Sequence, residues 1–354
     1  MPERILVLNP GSTGTKIAIF EDESSIYEEN LLHAPEELRL FPRVMDQLDF
    51  RLESVGRGLT SCAVASRSFS AVAARGGLLR PVEAGTYRVN ARMLEDLALA
   101  TRGEHASNLG APLARRIADR WGIEAYVVDP VSVDEFAPVA RITGLPELER
   151  KSLLHALNVR ATAREAAKHL GMRFEEVNLV IAHLGSGTSV CPVRKGRIVD
   201  VNNANEEGPF STERTGSLPV GDLVRLCFSG KYTEKDLVRN ITLEGGIHAY
   251  LGTKDVREVL GMIARGDEKA KLVFDAMIYQ TAKEIGSMAT VLCGEVDAVV
   301  ISGGLAYSTA VTSALKERIG YIAPVLVFPG EKEMEALAHG VLRVLRGEDQ
   351  AKEY

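Results

Sequence analysis

The sequence predicts an α/β protein built from two similar domains around a cleft, and three observations carry that expectation. Residues 4–22 (RILVLNPGSTGTKIAIFED) read as strand, polar turn, strand. Residues 178–193 (NLVIAHLGSGTSVCPV) repeat the pattern about half a chain later. Between and after these hairpins, short apolar runs alternate with helical spacing, without a low-complexity segment or a long linker, as in a layered α/β architecture.

The first hairpin is the most informative element. Residues 5–8 form an apolar run, NPGSTG at 9–14 is a cluster of turn formers, and an extended apolar run resumes at Lys16. Gly11 and Gly14 let the backbone bend with its N–H groups outward, while Asn9, Ser12, Thr13 and Lys16 add side-chain donors and one positive charge. A phosphate group needs that combination. A P-loop is excluded, because Lys16 opens a second strand rather than a helix. An ordinary turn is the competing reading. Recurrence outweighs it: in the second hairpin His183 is followed by Gly185, Ser186, Gly187, Thr188 and Ser189.

The remaining elements follow in order. Residues 25–33 suit a third strand and 35–55 a helix that Pro42 kinks or restarts. A strand at 70–74 runs into Arg75, Gly76 and Gly77. A cation before two glycines admits close approach of an anion, and a loop arginine paired with a surface carboxylate is the equal alternative. Helices are expected at 90–100 and 107–121, then a strand from 125 that ends in Asp129 and is stopped by Pro130. A carboxylate at that strand end suits a ligand or Mg²⁺, or simply caps the next turn. Residues 138–146 read as the crossing into the second half, and 149–170 as a helix with His155 near its start. Taken alone, a single histidine on a helix is more often structural than catalytic.

After the second hairpin comes a polar stretch, 202–216, too rich in Asn, Glu, Gly and Thr to form a core, with Arg214 as its one cation. Helices are expected at 220–227, 234–240, 253–265 and 268–292. A buried strand at 296–301 ends in Ser302, Gly303 and Gly304, where paired glycines permit contact with a flat adenine or ribose. A last strand, 325–328, precedes PGEKE at 329–333, and a terminal helix runs to about Arg346.

Composition bounds the class. A chain of 354 residues suits two domains, given roughly 100–200 residues each. Hydrophobic residues at 45% and charged residues at 25% exclude a disordered or fibrous chain. A net charge of −6 argues against nucleic-acid binding through a general basic surface. Cys62, Cys191, Cys227 and Cys293 are far apart without C-x-x-C or zinc spacing, and read as reduced core cysteines of a cytosolic protein. The chain enters its first strand without a charged leader, and no run approaches the ~18 apolar residues of a membrane span. The expected location is therefore cytoplasmic, with neither nucleic acid nor membrane as partner.

With these residues assembled, the chain resembles the acetokinase family of the actin-like ATPase superfamily, and in particular its butyrate-type members. The resemblance runs end to end through LNPGSTGTK, ARGGLLRP, GEHASNLGAPLA, VVDPVSVDE, ERKSLLHALN, IAHLGSGTSV, NNANEEGPFSTERTGSLP, ISGGLAYS and APVLVFPGEKE. It implies two ribonuclease H-like domains of mixed sheet plus helices around a central cleft. The implied boundaries are 1–140, joined by the terminal helix 334–354, and 141–333 as the nucleotide-binding lobe. The implied reaction is reversible, Mg²⁺-dependent transfer of the ATP γ-phosphoryl group to butyrate or a branched short-chain fatty acid, giving an acyl phosphate and ADP, with an acetate or propionate kinase as the alternative. A homodimer or larger homo-oligomer is implied as well.

Carried over residue by residue, the resemblance gives Arg214, His155 and Asp129 catalytic roles. Mg²⁺ falls to Asp129 and Glu333. Asn9, Ser12, Thr13, Lys16, His183, Gly185 and Gly187 match the phosphate hairpins, and Gly303 and Gly304 the adenosine loop. One departure stands out. Acetate kinases carry an arginine three residues before His-Gly-Gly, where this chain has Val72 and Arg75. Arg75 is then the candidate for binding the substrate carboxylate from a shifted position. Ala73 and Ala74 replace valines, so a roomier pocket for a longer acyl tail is expected, one methylene being worth about 1–3 kcal/mol of discrimination.

Overall fold

A computed structural model describes residues 2–62 and 68–354. The chain divides into two compact units: Met1–Asp134 with Ala156–Asn158 and Lys332–Tyr354, and Glu135–His155 with Val159–Glu331.

The first unit is built on a six-stranded sheet of β1 (Arg4–Pro10), β2 (Gly14–Glu21), β3 (Ser24–Leu32), β4 (Ala71–Arg75), β5 (Thr86–Arg88) and β6 (Glu124–Val128), in the order β3-β2-β1-β4-β6-β5. β1 pairs antiparallel with β2 from Arg4↔Glu21 to Pro10↔Thr15, and parallel with β4. The apolar run of β1 is buried on both faces, which is why it lacks alternation. Leu6, Leu8, Val72, Ala74 and Val127 face one core, shared with the helices Leu48–Ser61, Ala91–Leu99 and Gly110–Trp121. Ile5, Val7, Ala73, Tyr126 and Val128 face the other, covered by the helix Glu333–Leu345.

The second unit repeats the plan with β7 (Asn178–Leu184), β8 (Thr188–Arg194), β9 (Arg197–Ile198), β10 (Ala298–Gly303) and β11 (Val325–Pro329), ordered β11-β10-β7-β8-β9. β7 pairs antiparallel with β8 and parallel with β10, as β1 does with β2 and β4. Five strands of each sheet therefore share one topology. The helices Glu268–Val291 and Thr309–Ile319 pack on this second sheet through residues such as Met277, Ile285 and Leu315, against Val180, Val299 and Ile301.

Several expectations are corrected. The helix expected at 35–55 is broken into a turn at Pro35–Leu38, a 3₁₀ turn at Val44–Gln47 and the helix Leu48–Ser61. Pro42, lacking an N–H, lies in the gap. The helix expected from 149 begins only at Ala156, leaving His155 at its N-cap position with non-helical torsions. The edge strand β5 and the helix Gly246–Leu251 had no counterpart in the sequence reading, both being short. The polar loop 202–216 is packed rather than solvated: Asn202 is buried, accepting from the Val190 N–H at 2.6 Å and donating to Thr188 O at 2.8 Å, so it staples the second hairpin. Cys62 and Cys191 are buried, but Cys227 and Cys293 are exposed.

Candidate active site

In the first unit, the turn between β1 and β2 closes through Gly11 N–H donating to Gly14 O at 2.8 Å, leaving Ser12, Thr13 and Lys16 exposed. Asn9, buried at the end of β1, donates from Nδ2 to Glu333 Oε2 at 2.7 Å. Glu333 opens the helix Glu333–Leu345, where a carboxylate meets the positive end of the helix dipole. Arg75 Nη1 lies 3.2 Å from Glu333 Oε1, and Asn158 Nδ2 donates to the same oxygen at 3.3 Å. Arg75 is thus neither free at a strand end nor paired with a surface carboxylate. Its partner is a largely buried acid from the far end of the chain.

This cluster contains an orphan. Asn158 Oδ1 is buried and accepts no hydrogen bond, beside the Glu333 carboxylate that the same side chain touches. A carboxylate with a spare amide oxygen is an oxygen donor set that suits a hard divalent cation such as Mg²⁺, which is commonly held by one or two carboxylates plus waters and phosphates. The residues present therefore fit the ion.

Asp129 ends β6 in the left-handed region, at φ 38°. Its Oδ1 accepts from the Gly85 N–H at 2.7 Å and its own N–H donates to Gly85 O at 2.9 Å. The carboxylate thus anchors the segment before β5 as well as standing at a strand end. Among the described residues no three His, Cys, Asp or Glu side chains form a metal cluster. Gly76 and Gly77 are explained by packing, since a β-carbon there would collide with Pro130 and Asn108 respectively. His105, which the sequence reading leaves without a site role, sits close enough to Arg75 that the guanidinium adds to burial in lowering its pKa. His105 Nδ1 is 2.8 Å from Ser107 Oγ.

The alanine pocket is not present. Ala73 and Ala74 are both 0% exposed, on opposite faces of β4 and inside the two cores of this unit. A β-carbon on Gly110 of the helix Gly110–Trp121 would stand 3.5 Å from that of Ala74, and with both alanines fully buried neither offers surface to an acyl tail.

In the second unit, the turn between β7 and β8 closes in the same way, with Gly185 N–H donating to Gly187 O at 3.0 Å. Across it lies Arg214: a β-carbon on Gly187 would stand 2.5 Å from Arg214 Nη1. Ser211 explains how the polar loop holds this arginine. Its hydroxyl donates to Ser186 O and accepts from the Arg214 N–H at 3.2 Å, and its N–H donates to Arg214 O at 3.0 Å. Burial holds the guanidinium below its ordinary pKa, with Glu213 opposing, and Arg214 Nε is buried without a hydrogen-bond partner.

His183 and His155 meet beside the second hairpin, with ring centroids 4.7 Å apart. His155 Nδ1 is 3.3 Å from Ser189 Oγ. His183 Nδ1 is 3.3 Å from Ser302 Oγ, while its Nε2 lies 3.4 Å from Glu331 Oε1 without hydrogen-bond geometry. Gly303 is required by the fold, with φ 87° and no room for a β-carbon against Leu184 O. Gly304 faces open space, and lines a cavity of about 800 Å³ with Lys254, Asp255, Arg257, Leu260 and Tyr307. In the sequence the segment 254–257 is expected only as the start of the helix 253–265, with no glycine to mark a ligand site.

The family model for the acetokinase family matches residues 149–319. The chain is 51% identical over 351 residues to probable butyrate kinase 2 of Caldanaerobacter subterraneus subsp. tengcongensis, covering 99% of both chains. It is 48% identical over 352 residues to butyrate kinase 1 of Clostridium acetobutylicum, again covering 99% of each. Among solved structures, acetate kinase from Porphyromonas gingivalis shares the fold with a TM-score of 0.78 at 17% identity, over 97% of this chain and 100% of that one. A propionate kinase from Francisella tularensis gives 0.78 at 16% identity, over 96% and 98%. With end-to-end identity near one half to such relatives, and with the repeated mixed sheets of the acetate kinase fold, the chain belongs to the acetokinase family.

Proposed function

We propose that the protein is a carboxylate kinase of the butyrate type, transferring the ATP γ-phosphoryl group reversibly to a short-chain fatty acid to give an acyl phosphate and ADP. The observation that carries this reading is the 51% and 48% identity, over essentially the whole chain, to proteins named as butyrate kinases.

The chemistry asks for position and positive charge more than for covalent participation, because the transferring phosphoryl group passes through a loose transition state. Arg214, held across Gly187, supplies a fixed guanidinium to the phosphoryl oxygens and the acid. His155, close to His183, supplies a ring donor to the same charge. Asn9, Ser12, Thr13 and Lys16 on one hairpin, and His183, Gly185 and Gly187 on the other, bind phosphate. The cavity beginning at Gly304 takes the adenosine, with Gly303 fixing the bend that opens it. Glu333 and Asn158 hold Mg²⁺, with Asp129 as a further carboxylate at a strand end; the ion, when bound, neutralises phosphate charge. Arg75 exchanges Glu333 for the substrate carboxylate.

A homodimer formed through the second unit is part of the proposal. The helices Val220–Cys227 and Glu234–Thr242 bury no residue, while Val220 and Phe228 are 73% and 88% exposed. Such a concentration of exposed apolar side chains suits a protein partner. The cytoplasm, where ATP is supplied, is the proposed location.

Hydroxamate trapping of acyl phosphate formed with Mg-ATP from acetate, propionate, butyrate, isobutyrate and valerate tests the reading. A maximum in kcat/KM at a four-carbon acid is expected. A maximum at acetate would overturn the butyrate assignment and leave a carboxylate kinase, and absence of product with every acid would overturn both.

A further inference from the structure

The largest fully buried side chain among the described residues is a cation, Arg51, 1% exposed on the helix Leu48–Ser61. Its Nη1 donates to Gly11 O and Gly14 O, each at 2.9 Å, and to Thr15 Oγ1 at 3.1 Å. Its Nε and Nη2 donate to Gln47 Oε1 at 3.0 and 2.9 Å. Every one of these partners is a neutral oxygen. Burial lowers the Arg51 pKa to about 10, so the group stays charged at neutral pH. A buried charge without a counter-ion is expensive, and a fold that only needed a staple is better served by a neutral donor.

The geometry shows where the charge is directed. The two carbonyls it grips belong to the ends of the β1–β2 turn, the same turn that exposes Ser12 and Thr13. In a trans peptide the carbonyl of one residue and the N–H of the next point in opposite directions. Drawing Gly11 O back toward Arg51 therefore turns the Ser12 N–H outward, to the side on which an anion would sit. Thr15 Oγ1 is held from a second direction by His33 Nε2 at 3.0 Å, so the hydroxyl cannot rotate away from this arrangement. Positive charge behind a turn and N–H groups in front of it favour a phosphate in front.

We propose that Arg51 is a positioning residue for phosphoryl binding, fixing the peptide planes of the β1–β2 turn and supplying the uncompensated positive charge behind it. The proposal rests on the reading that this turn binds phosphate. Arg51 touches no substrate itself. It acts through Gly11, Gly14 and Thr15.

The test uses the full chain, with butyryl phosphate as phosphoryl donor to ADP. Arg51→Lys keeps the charge but cannot span both carbonyls and Thr15. Its kcat/KM for butyryl phosphate is expected to fall roughly tenfold to a hundredfold, the scale of a small misplacement at a reacting group. The dissociation constant for ADP, measured by calorimetry, is expected to stay within about twofold, because the cavity at Gly304 is lined by none of the residues that Arg51 touches. Arg51→Met is expected to lose more, because the charge goes as well. Gln47→Leu frees one side of the guanidinium and is expected to give the same pattern at smaller size, which keeps the test alive should both Arg51 variants fail to fold. A purely structural staple would lower Tm and leave both constants at wild type in Arg51→Lys and Gln47→Leu, which would overturn the proposal. Lys16→Met separates the two levels. If it raises KM for butyryl phosphate while Arg51→Lys does not, the role of Arg51 alone is overturned. If neither variant changes that KM, the turn binds no phosphate and the reading beneath falls with it.

Discussion

Arg214 lies across Gly187 so closely that a β-carbon on the glycine would stand 2.5 Å from Nη1. The glycine of the second hairpin is thus explained by an arginine from the following loop, which rests where a side chain would otherwise be. The substitution Gly187→Ala is expected to displace the far end of a flexible side chain rather than backbone. Stability should change by about 1 kcal/mol or less, while kcat falls by roughly 10²-fold, as for a reacting group moved by about an ångström. Thermal unfolding and steady-state kinetics on the same preparation check both halves. A variant with wild-type kcat would show that the resting position of Arg214 does not matter.

Removing the arginine itself separates activity from stability. Arg214→Ala is expected to lower kcat by roughly 10²–10³-fold, the usual loss for one transition-state donor. Because Arg214 Nε is buried without a partner and burial already disfavours the charge, the variant should unfold at or above the wild-type temperature. Loss of activity together with a large drop in Tm would instead make Arg214 a structural residue of the loop.

Ala74→Val distinguishes a lining residue from a core residue. Ala74 is fully buried beside Gly110, so two added methyl groups have nowhere to go. A loss of about 1–3 kcal/mol of stability is expected, with the order of preference among short-chain acids unchanged. A shift of that order toward acetate, measured as relative kcat/KM, would restore Ala74 to the acid pocket.

These cases show what the sequence could and could not disclose. The strands β1 and β7 were legible because a buried strand with both faces covered writes itself as an unbroken apolar run, and the turns after them as clusters of Gly, Ser and Thr. Their kinship was legible as a repeat. Small apolar residues look alike whether they line a pocket or make room for a helix, and only the folded chain shows Ala74 packed in the core shared with the helix Gly110–Trp121 and Ala73 in the core covered by the helix Glu333–Leu345. The contacts of Glu333 with Asn9, Arg75 and Asn158 join residues from four parts of the chain. Such convergence follows from topology and leaves no local pattern. Nor did composition show that Asn202 is buried, because its amide is satisfied by the backbone of β8, an arrangement that only the folded hairpin creates.

Glu284 offers a prediction in pH. Its carboxyl group sits in the second unit within electrostatic reach of Glu207 and Asp200, which disfavour its charge, and of Arg150 and Lys283, which favour it. Burial first, then Glu207, raises its pKa above the ordinary 4.5, with Arg150 and Lys283 pulling it back. An acid whose pKa is raised on folding holds its proton more tightly in the folded state. Its contribution to stability is fully present below the unfolded value and is lost as pH rises through the folded one. Above its folded-state pKa the wild type carries a carboxylate the fold disfavours, whereas Glu284→Gln carries a neutral side chain at every pH. The variant is expected to unfold at a higher temperature than wild type at pH 8, with the difference shrinking as pH falls toward 4.5. Thermal unfolding of both proteins across that range checks it. A difference that is independent of pH would mean that attraction to Arg150 cancels burial, and one that grows toward acid would mean that Glu284 is held charged and the attraction outweighs burial; either outcome overturns the prediction.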